Sequence, residues 1–572
     1  MQKSKLENPW VVALLAAVFF VPFLGNVHLF DWDEINFAES AREMLLTGNY
    51  LRVQIDFQPF WEKPPLFIWL QALSMKFWGV NEWAARFPNA LVGIITLVIF
   101  FVLGKRLYDA RFGFLWALAY LGSITPHLYF KSGIIDPTFN LFMFLSVVFL
   151  MPSVFFQKIS LSHYALAGVF AGLAVWTKGP VGVGLPTLTL GLFWAMRRFR
   201  AVISGQGLVV YVVVAGLFTL GWMAAIILES GWTTFVAFLE YLYRLGATSE
   251  ADHGQPFYYH FVVVLLGCFP ISVLGLKYVS GLKWLNIKEI SFSRVDKNIK
   301  VDTPQQAFAL LMFCLFWVVM IVFSVVKTKI VHYSSMAYFP LAFLASLHLY
   351  RWLKGEVVWP KWATVMLIII GSVLSLAFVA LPLVGMYAPL VSPYIDDPFV
   401  VGNLQAPVEW KGWEWGLGIL FLGATVFSVS IWQKHPWKAI QVLFFGTAIF
   451  LFFYMAKVIP NIEGYTQRTV IDFYQSKRGQ EVYVWPIGNR SYAQYFYFNK
   501  PPGVRPEASD EAWLLNGPVD KPTFLVARID RADEYRSNPN LELIKEENGF
   551  VFFRRKPDYQ KISDSFLQTK TP

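Results

Sequence analysis

Long apolar runs alternate with short polar joints along most of this chain. The runs lie at roughly 10–30, 88–107, 112–128, 138–156, 163–177, 180–196, 207–228, 257–279, 306–326, 334–350, 363–385, 414–432 and 438–457. Most approach the roughly 20 apolar residues a helix needs to cross a bilayer; the fifth and sixth are short. They predict a polytopic α-helical membrane protein with about 13 transmembrane helices. The first run follows Lys3 and Lys5 and resembles a signal peptide. It lacks a small-residue cleavage site, so it is expected to remain as the first helix.

The segments between runs divide by side. With the N-terminus inside, the inner loops collect Lys105, Arg106, Arg111, Lys158, Arg197, Arg198, Arg200, Lys283, Lys288, Arg294, Lys297, Lys300, Arg351, Lys354, Lys434 and Lys438. That is a consistent positive-inside pattern. The outer segments 31–87, 229–256 and 386–413 read as loops. In the first, Glu34 to Leu46 puts Ile35, Ala38, Ala41, Met44 and Leu45 on one face and stops at Gly48. A second stretch opens at Pro64-Pro65 and runs from Leu66 to Phe77 before Gly79. Neither can span, and both are expected to lie in the outer interface with the apolar face down.

After residue 460 the pattern changes. Glu463 to Lys477 reads as a helix stopped at Gly479; Glu481–Trp485, Tyr495–Phe498, Phe524–Ala527 and Leu541–Ile544 read as strands. Asn548-Gly549 before Phe550–Phe553 is a hairpin signal. The chain thus divides into a membrane domain, 1–459, and a small soluble α/β domain, 460–572, which an odd number of crossings places outside.

Composition agrees: 56% of residues are hydrophobic and 15% charged, where a soluble protein has about a quarter charged. The net charge of +10 is absorbed by the inner loops and needs no nucleic acid partner. Cys268 and Cys314 lie within apolar runs and read as inert packing side chains.

Five polar stretches interrupt the outer ends of the runs: Asp33-Glu34, Glu62-Lys63-Pro64-Pro65, Asp136-Pro137, Lys178-Gly179-Pro180 and Lys327 to Tyr333. Singly, each has a structural reading. Asp33 and Asp136 suit helix caps, and Lys178 a snorkelling lysine. Glu62-Lys63 suits a solvated pair, His253 a loop histidine, and Lys327, Lys329 and His332 interfacial anchors. Together they place carboxylates, cations, a histidine and a tyrosine on one side of the membrane, where charge is costly and seldom idle. Cations there suit a lipid-borne phosphate, and a carboxylate with a histidine suits a divalent metal or proton transfer. No P-loop, dinucleotide fingerprint or nucleophile elbow accompanies them, so an activated lipid substrate is the fitting energy source.

The same stretches resemble a known family. Asp33-Glu-Ile-Asn-Phe-Ala-Glu-Ser-Ala-Arg-Glu-Met44 is similar to D-E-x-R-Y-A-E-x-A-R-E-M. Phe60-Trp-Glu-Lys-Pro-Pro-Leu-Phe-Ile-Trp-Leu70 is similar to F-x-E-K-P-P-L-x-Y-W-L, and Asn81-Glu-Trp-Ala-Ala-Arg-Phe-Pro88 to N-E-x-A-A-R-L-P. These are motifs of the bacterial aminoarabinose transferases and related lipid-linked glycosyltransferases, distant relatives of protein O-mannosyltransferases. The resemblance covers residues 1 to about 350 by motif and the rest by layout.

The resemblance implies the GT-C fold, with a periplasmic C-terminal domain, in the bacterial inner membrane. It implies catalytic or cavity roles for Asp33, Asp136 and Lys178, and carrier-phosphate binding by Lys63, Arg244, Lys329 and Tyr333. It implies metal ligation by Glu62 and His253, the ion being zinc, magnesium or manganese. The donor would be a sugar, such as 4-amino-4-deoxy-L-arabinose, on undecaprenyl phosphate. The acceptor would be lipid A or another envelope molecule, and the protein a monomer among membrane lipid. Asn36 stands where the family usually has arginine, which removes a cation near phosphate or sugar. Asp33 suits a general base for a hydroxyl acceptor, or an orienting and charge-stabilising group for a phosphate acceptor; both jobs stay open. A transferase for protein or polysaccharide is the nearest rival. A transporter would carry its charges near the midplane on repeated halves, and a receptor would leave the outer carboxylates without a role.

The topology makes a direct prediction. Cysteines introduced at Gln58 and Asn516 should react with a membrane-impermeant thiol reagent in intact spheroplasts, and one at Ser293 should not. Labelling at Ser293 alone would invert the orientation.

Overall fold

A computed structural model describes residues 8–60, 62–155, 160–197, 199, 203–248, 254–281 and 303–556. Five of its helices are long and apolar enough to cross a membrane: Glu82–Leu107, Gly205–Arg244, Pro304–Val325, Lys361–Met386 and Pro436–Lys457. Shorter apolar helices at Pro9–Phe20, Ala110–Leu121, Asp136–Leu150, Val181–Met196 and Gly416–Ile431 lie among them. Leu208, Val212, Leu217 and Leu220 stay uncovered along the Gly205 helix, as a lipid-facing surface should.

Several helices depart from the expected runs for visible reasons. The run at 257–279 is divided into Tyr259–Gly267 and Ile271–Val279, because Pro270 lacks an N–H and disfavours helix at the residue before it. The run at 112–128 breaks at Gly122, where a Cβ would meet the Phe444 carbonyl oxygen at 2.3 Å. The helix starting at Gly205 continues to Ala247 through a break at Gly231, whose φ of 83° favours glycine. Arg244 therefore sits in the last turn of a helix, not in the open loop expected from 229–256.

Both expected short helices form, at Asp33–Thr47 and Leu66–Trp78, and pack on each other. Gly48 closes the first with φ 70°, giving its N–H to the Met44 carbonyl. For the first, the expectation that only its apolar face is covered is corrected. Every residue from Glu34 to Met44 is buried, polar face included. Much of its charge is paired: Arg42 binds Glu39 through Nε at 2.7 Å and Nη2 at 2.5 Å, and Arg86 binds Glu34.

The Glu34–Arg86 pair joins four pieces of chain. Arg86 Nε and Nη2 donate to Glu34 at 3.0 and 2.7 Å. Its remaining N–H groups reach the Leu24, Val27 and His28 carbonyls. Glu34 also accepts from the N–H groups of Phe30 at 3.0 Å and Gly133 at 2.5 Å. Burial pushes this carboxyl up, but the Arg86 charge and these donors hold it below the usual glutamate value.

Near the C-terminus the strands Tyr483–Pro486, Thr523–Arg528, Phe550–Arg555 and Leu541–Glu547 lie side by side in that order. The first pair is parallel and the others antiparallel, with the expected hairpin at Asn548-Gly549. Two expectations change. The helix from Glu463 becomes Ile459–Thr466 and Arg468–Ser476, meeting at Gln467. The aromatic run Tyr495–Phe498 is helical within Ala493–Phe498 and ends at Asn499 with φ 60°. A short, uniformly apolar run has no period to separate strand from helix. Here tertiary bonds decide it: Arg42 donates to Asn499 Oδ1 at 2.9 Å and to the Lys500 carbonyl at 3.1 Å, beyond the helix end.

Because Glu34–Arg86 is buried, removing one partner strands a charge. Arg86→Leu should cost about 3–5 kcal/mol of stability, read as a large loss of apparent melting temperature in detergent. A change under about 1 kcal/mol would equate the pair with exposed surface pairs.

Candidate active site

The polar stretches are delivered by helix ends and turns. Asp33 and Asp136 are each the first residue of a helix, where the helix dipole favours negative charge. Neither is the expected capping residue: Trp32 and Ile135 hold the cap positions, and no side-chain cap bond forms at either. Lys178 is the last residue of Leu161–Lys178, the end that favours a cation. Gly179, at φ 81°, turns the chain there. In the Glu62 turn, Pro65 takes the cap position before Leu66.

These ends meet. Lys178 Nζ lies 2.5 Å from Asp136 Oδ1. Ser335 Oγ donates to the same oxygen at 3.5 Å, and Asn140 Nδ2 donates to Ser335 Oγ at 2.9 Å. The Lys178 ammonium also stands 5.2 Å from the centre of the Tyr333 ring, a cation–π distance. Across the site, His332 Nε2 lies 3.4 Å from Asp33 Oδ2, with the Asp33 side chain 31% exposed and that of His332 17%.

Lys63 sits electrostatically between these groups. Burial pulls its pKa down, but Asp33, Tyr333, Glu62 and Asp136 together hold it above the ordinary lysine value. It is a fixed cation amid three carboxylates. Burial pushes the Tyr333 phenol up to about 12 despite Lys63, so it stays a neutral hydrogen-bond donor. Burial lowers His332 more than Asp136 and Asp33 raise it, and Lys178 and Lys63 lower it further.

Other sequence candidates lie around this core. Lys329 is buried, whereas Arg244 and Lys327 are exposed. The Arg244 helix is tied to the 327–333 stretch: Thr328 Oγ1 donates to the Thr248 carbonyl at 2.8 Å, and Gly254 pairs with Thr328. Tyr241, one turn before Arg244, acts electrostatically on Tyr333. His253 lies outside the described residues. Among the described residues, no three His, Cys, Asp or Glu side chains converge in a way that could hold a metal ion. Glu62 shares Lys63 with Asp33 and Asp136, so a lysine ammonium stands amid the carboxylates.

Ser335 and Asn140 enter the site beyond the residues singled out by sequence. His332 lay within the Lys327–Tyr333 stretch and was legible as polar, though not as the neighbour of Asp33. Ser335 and Asn140 carry no local signal; only packing of the Asp136 helix against the Val331–Ala337 turn reveals them.

The membrane helices and the region after them follow the GT-C fold. In fold the chain matches the crystal structure of ArnT from Cupriavidus metallidurans bound to undecaprenyl phosphate, with a TM-score of 0.73 and 18% identity over 96% of this chain and 98% of that one. The apo form of that protein gives a TM-score of 0.71 and 17% identity over 95% and 97% of the two chains. In sequence the chain is 24% identical to the undecaprenyl phosphate-alpha-4-amino-4-deoxy-L-arabinose arabinosyl transferase of Pectobacterium carotovorum, covering 96% of this chain and 97% of the relative. It is 25% identical to the Pectobacterium atrosepticum enzyme of that name, over 96% and 98%. Residues 62–223 match the family described as dolichyl-phosphate-mannose-protein mannosyltransferase. The resemblance seen in three motifs therefore runs the length of the chain.

The lowered pKa of His332 gives a pH prediction. Above the ordinary value of 6.5 both folded and unfolded imidazoles are neutral; as pH falls below it, the unfolded chain takes the proton first. This site's stability should be complete above pH 6.5 and decline towards the lower folded pKa. His332→Gln should flatten the dependence of apparent melting temperature on pH in that acidic window. An unchanged slope would contradict it.

Proposed function

We propose that this protein is an integral-membrane glycosyltransferase that moves a sugar from a polyprenyl phosphate carrier to an acceptor at the periplasmic face of the inner membrane. The observation that carries this reading is the convergence of Asp33, Lys63, Asp136, Lys178 and Tyr333 at one set of helix ends. Its setting is a membrane domain of 13 spans over residues 1–459, with the 31–87 loop and a 460–572 domain on the periplasmic side, acting as a monomer. The carrier is undecaprenyl phosphate, the sugar 4-amino-4-deoxy-L-arabinose, and the acceptor a lipid A phosphate. Relatives named for that carrier and sugar support this choice.

The reaction breaks the bond between the anomeric carbon and the carrier phosphate and forms one to an acceptor oxygen. The leaving phosphate needs charge neutralisation, supplied by Lys63, Lys329 and Arg244 with a hydrogen bond from neutral Tyr333. Lys178 holds Asp136 in place. A phosphate acceptor is already ionised near neutral pH, and Asp33 then stabilises positive charge on the anomeric carbon. No step depends on a metal ion at Glu62 and His253.

A second reading keeps the donor and makes the acceptor a hydroxyl on protein or polysaccharide. The 3.4 Å approach of His332 to Asp33 favours it, since a carboxylate–imidazole pair suits proton removal. Asn36, buried with Oδ1 unpartnered where relatives of the motif carry arginine, favours a changed substrate as well.

Mass spectra of lipid A and envelope glycans from cells with and without the protein separate the readings. A pentosamine missing from lipid A phosphate supports the first; a sugar missing only from glycan or protein supports the second; no change in either rejects both. Asp33→Asn should preserve protein level and carrier binding while lowering turnover by roughly two or more orders of magnitude. Near-normal turnover would remove Asp33 from the chemistry.

A further inference from the structure

A cavity of about 280 Å³ lies apart from the Asp33–Lys178 cluster, between the C-terminal sheet and the Arg468–Ser476 helix. In the sheet, Pro486 pairs with Val526, and Arg528, two residues on, pairs with Phe550; all four therefore share one face. Helical spacing puts Gln467, Val470, Ile471 and Tyr474 on one side of the helix and its cap. Phe473 seats that helix on the sheet, its ring centre 4.6 Å from that of Phe552. Phe399, from the helix Pro398–Asn403, meets Phe550 edge-on at 5.3 Å and adds a third wall. Asp31 and Ser491 line the remaining side.

The polar groups left open in this cavity are neutral. Tyr474 is 1% exposed, yet its hydroxyl has no hydrogen-bond partner among the described residues. Nearby phenols do have one: Tyr483 meets Asp520 at 2.8 Å, Tyr497 meets Leu29 at 2.6 Å and Tyr535 meets Glu511 at 3.0 Å. The Asn489 carboxamide also lacks a partner among the described residues. The charged groups are already engaged. Asp31 accepts from the Ser491 hydroxyl and the Tyr492 N–H, and burial pushes its carboxyl up in spite of both. Arg528 gives Nε and Nη2 to Asp530, each at 3.0 Å.

We infer that this cavity is a binding site for a neutral sugar ring. A sugar carries hydroxyls that donate and accept along its edge, and C–H groups on its face. The Tyr474 phenol and the Asn489 carboxamide answer the edge, because each both donates and accepts. Phe399, Phe550, Pro486 and Val526 answer the face with apolar surface. A phosphate finds no open cation, since Arg528, the one cation among the described lining residues, is paired. An ammonium finds a single carboxylate that is already hydrogen-bonded. The volume stands at the lower end of small-molecule pockets, about 300 Å³, and suits a ligand of about one ring. Asp31 is two residues before Asp33, so a glycan held here is anchored on the segment that carries the proposed catalytic carboxylate. Sugar binding at this cavity is separate from the transferase reading and does not require it.

Ligand-observed saturation-transfer NMR on purified full-length protein in nanodiscs provides the test. The probes are the methyl glycosides of glucose, galactose, mannose and rhamnose, with choline and methyl phosphate as charged comparisons; no donor is present and no turnover occurs. At least one glycoside should receive saturation, most strongly at its ring C–H protons, and should bind more tightly than either charged probe. Tyr474→Phe and Asn489→Leu should each weaken that binding about fivefold, the scale of one lost hydrogen bond. Tyr474→Phe should keep its melting temperature, because the deleted hydroxyl has no described partner in the protein. Asp33→Asn should leave glycoside binding unchanged, which separates this cavity from the catalytic cluster. Saturation of no glycoside, preference for choline or methyl phosphate, or glycoside binding lost in Asp33→Asn but kept in both cavity variants would each overturn the site.

Discussion

The buried pairing of Glu34 with Arg86 is the constraint on which this part of the protein depends. Two charges removed from water repay desolvation only when their remaining donors and acceptors are also filled. Here the guanidinium gathers three carbonyls from the segment after the first helix, and the carboxylate gathers N–H groups from Phe30 and Gly133. The pair fixes how that segment, the helix from Glu82 and the turn before Asp136 meet. Asp33 adjoins one end of this junction, and Asp136 follows Gly133 closely at the other. The spacing of the two carboxylates is thus set by a network that takes no part in the proposed chemistry.

Charge at the site follows the polarity of the helices. Asp33 and Asp136 occupy N-terminal ends and Lys178 a C-terminal end, so each helix dipole favours the charge it carries. Counting Asp33, Glu62 and Asp136 against Lys63 and Lys178 leaves three negative charges against two positive. An entering phosphate cannot be neutralised by that set alone. It must draw on cations from the far side of the site, and the Lys327–Tyr333 segment and the Arg244 helix, linked through Thr328 and Thr248, bring them. Lys178 is already paired with Asp136.

Much of this was legible in the sequence because the physics acting there is local. Apolar length marks membrane helices, Gly48 and Gly79 mark helix ends, and Asn548-Gly549 marks a hairpin. The polar stretches were legible because charge beside a bilayer is costly. What failed was set by tertiary contact. Nothing local distinguishes Tyr495–Phe498 as helix from strand; Arg42, more than four hundred residues earlier, binds the chain just past its end. Nothing local says that the polar face of Asp33–Thr47 is buried, because its partners are remote. Asn140 reads as an ordinary residue of an apolar helix until its neighbours are known.

The C-terminal region is joined to the site through the segment around Asp33. His28 Nδ1 meets Glu463 at 2.8 Å, the Leu29 N–H donates to the Tyr497 hydroxyl at 2.6 Å, and Gln467 donates to the Leu29 carbonyl. Asp31 accepts from Ser491 and from the Tyr492 N–H, two residues before Asp33. Farther along, Arg42 binds Asn499 and Lys500, and Asp56 pairs with Lys500. A helix of 15 residues is roughly 22 Å long and is stiff on that scale. With its start and its second half both held by residues beyond 460, Asp33 has little freedom to move separately from that region. The region beyond residue 460 therefore acts as a brace for Asp33. A rigid brace is what electrostatic catalysis requires, since charges that need not reorganise stabilise a transition state best.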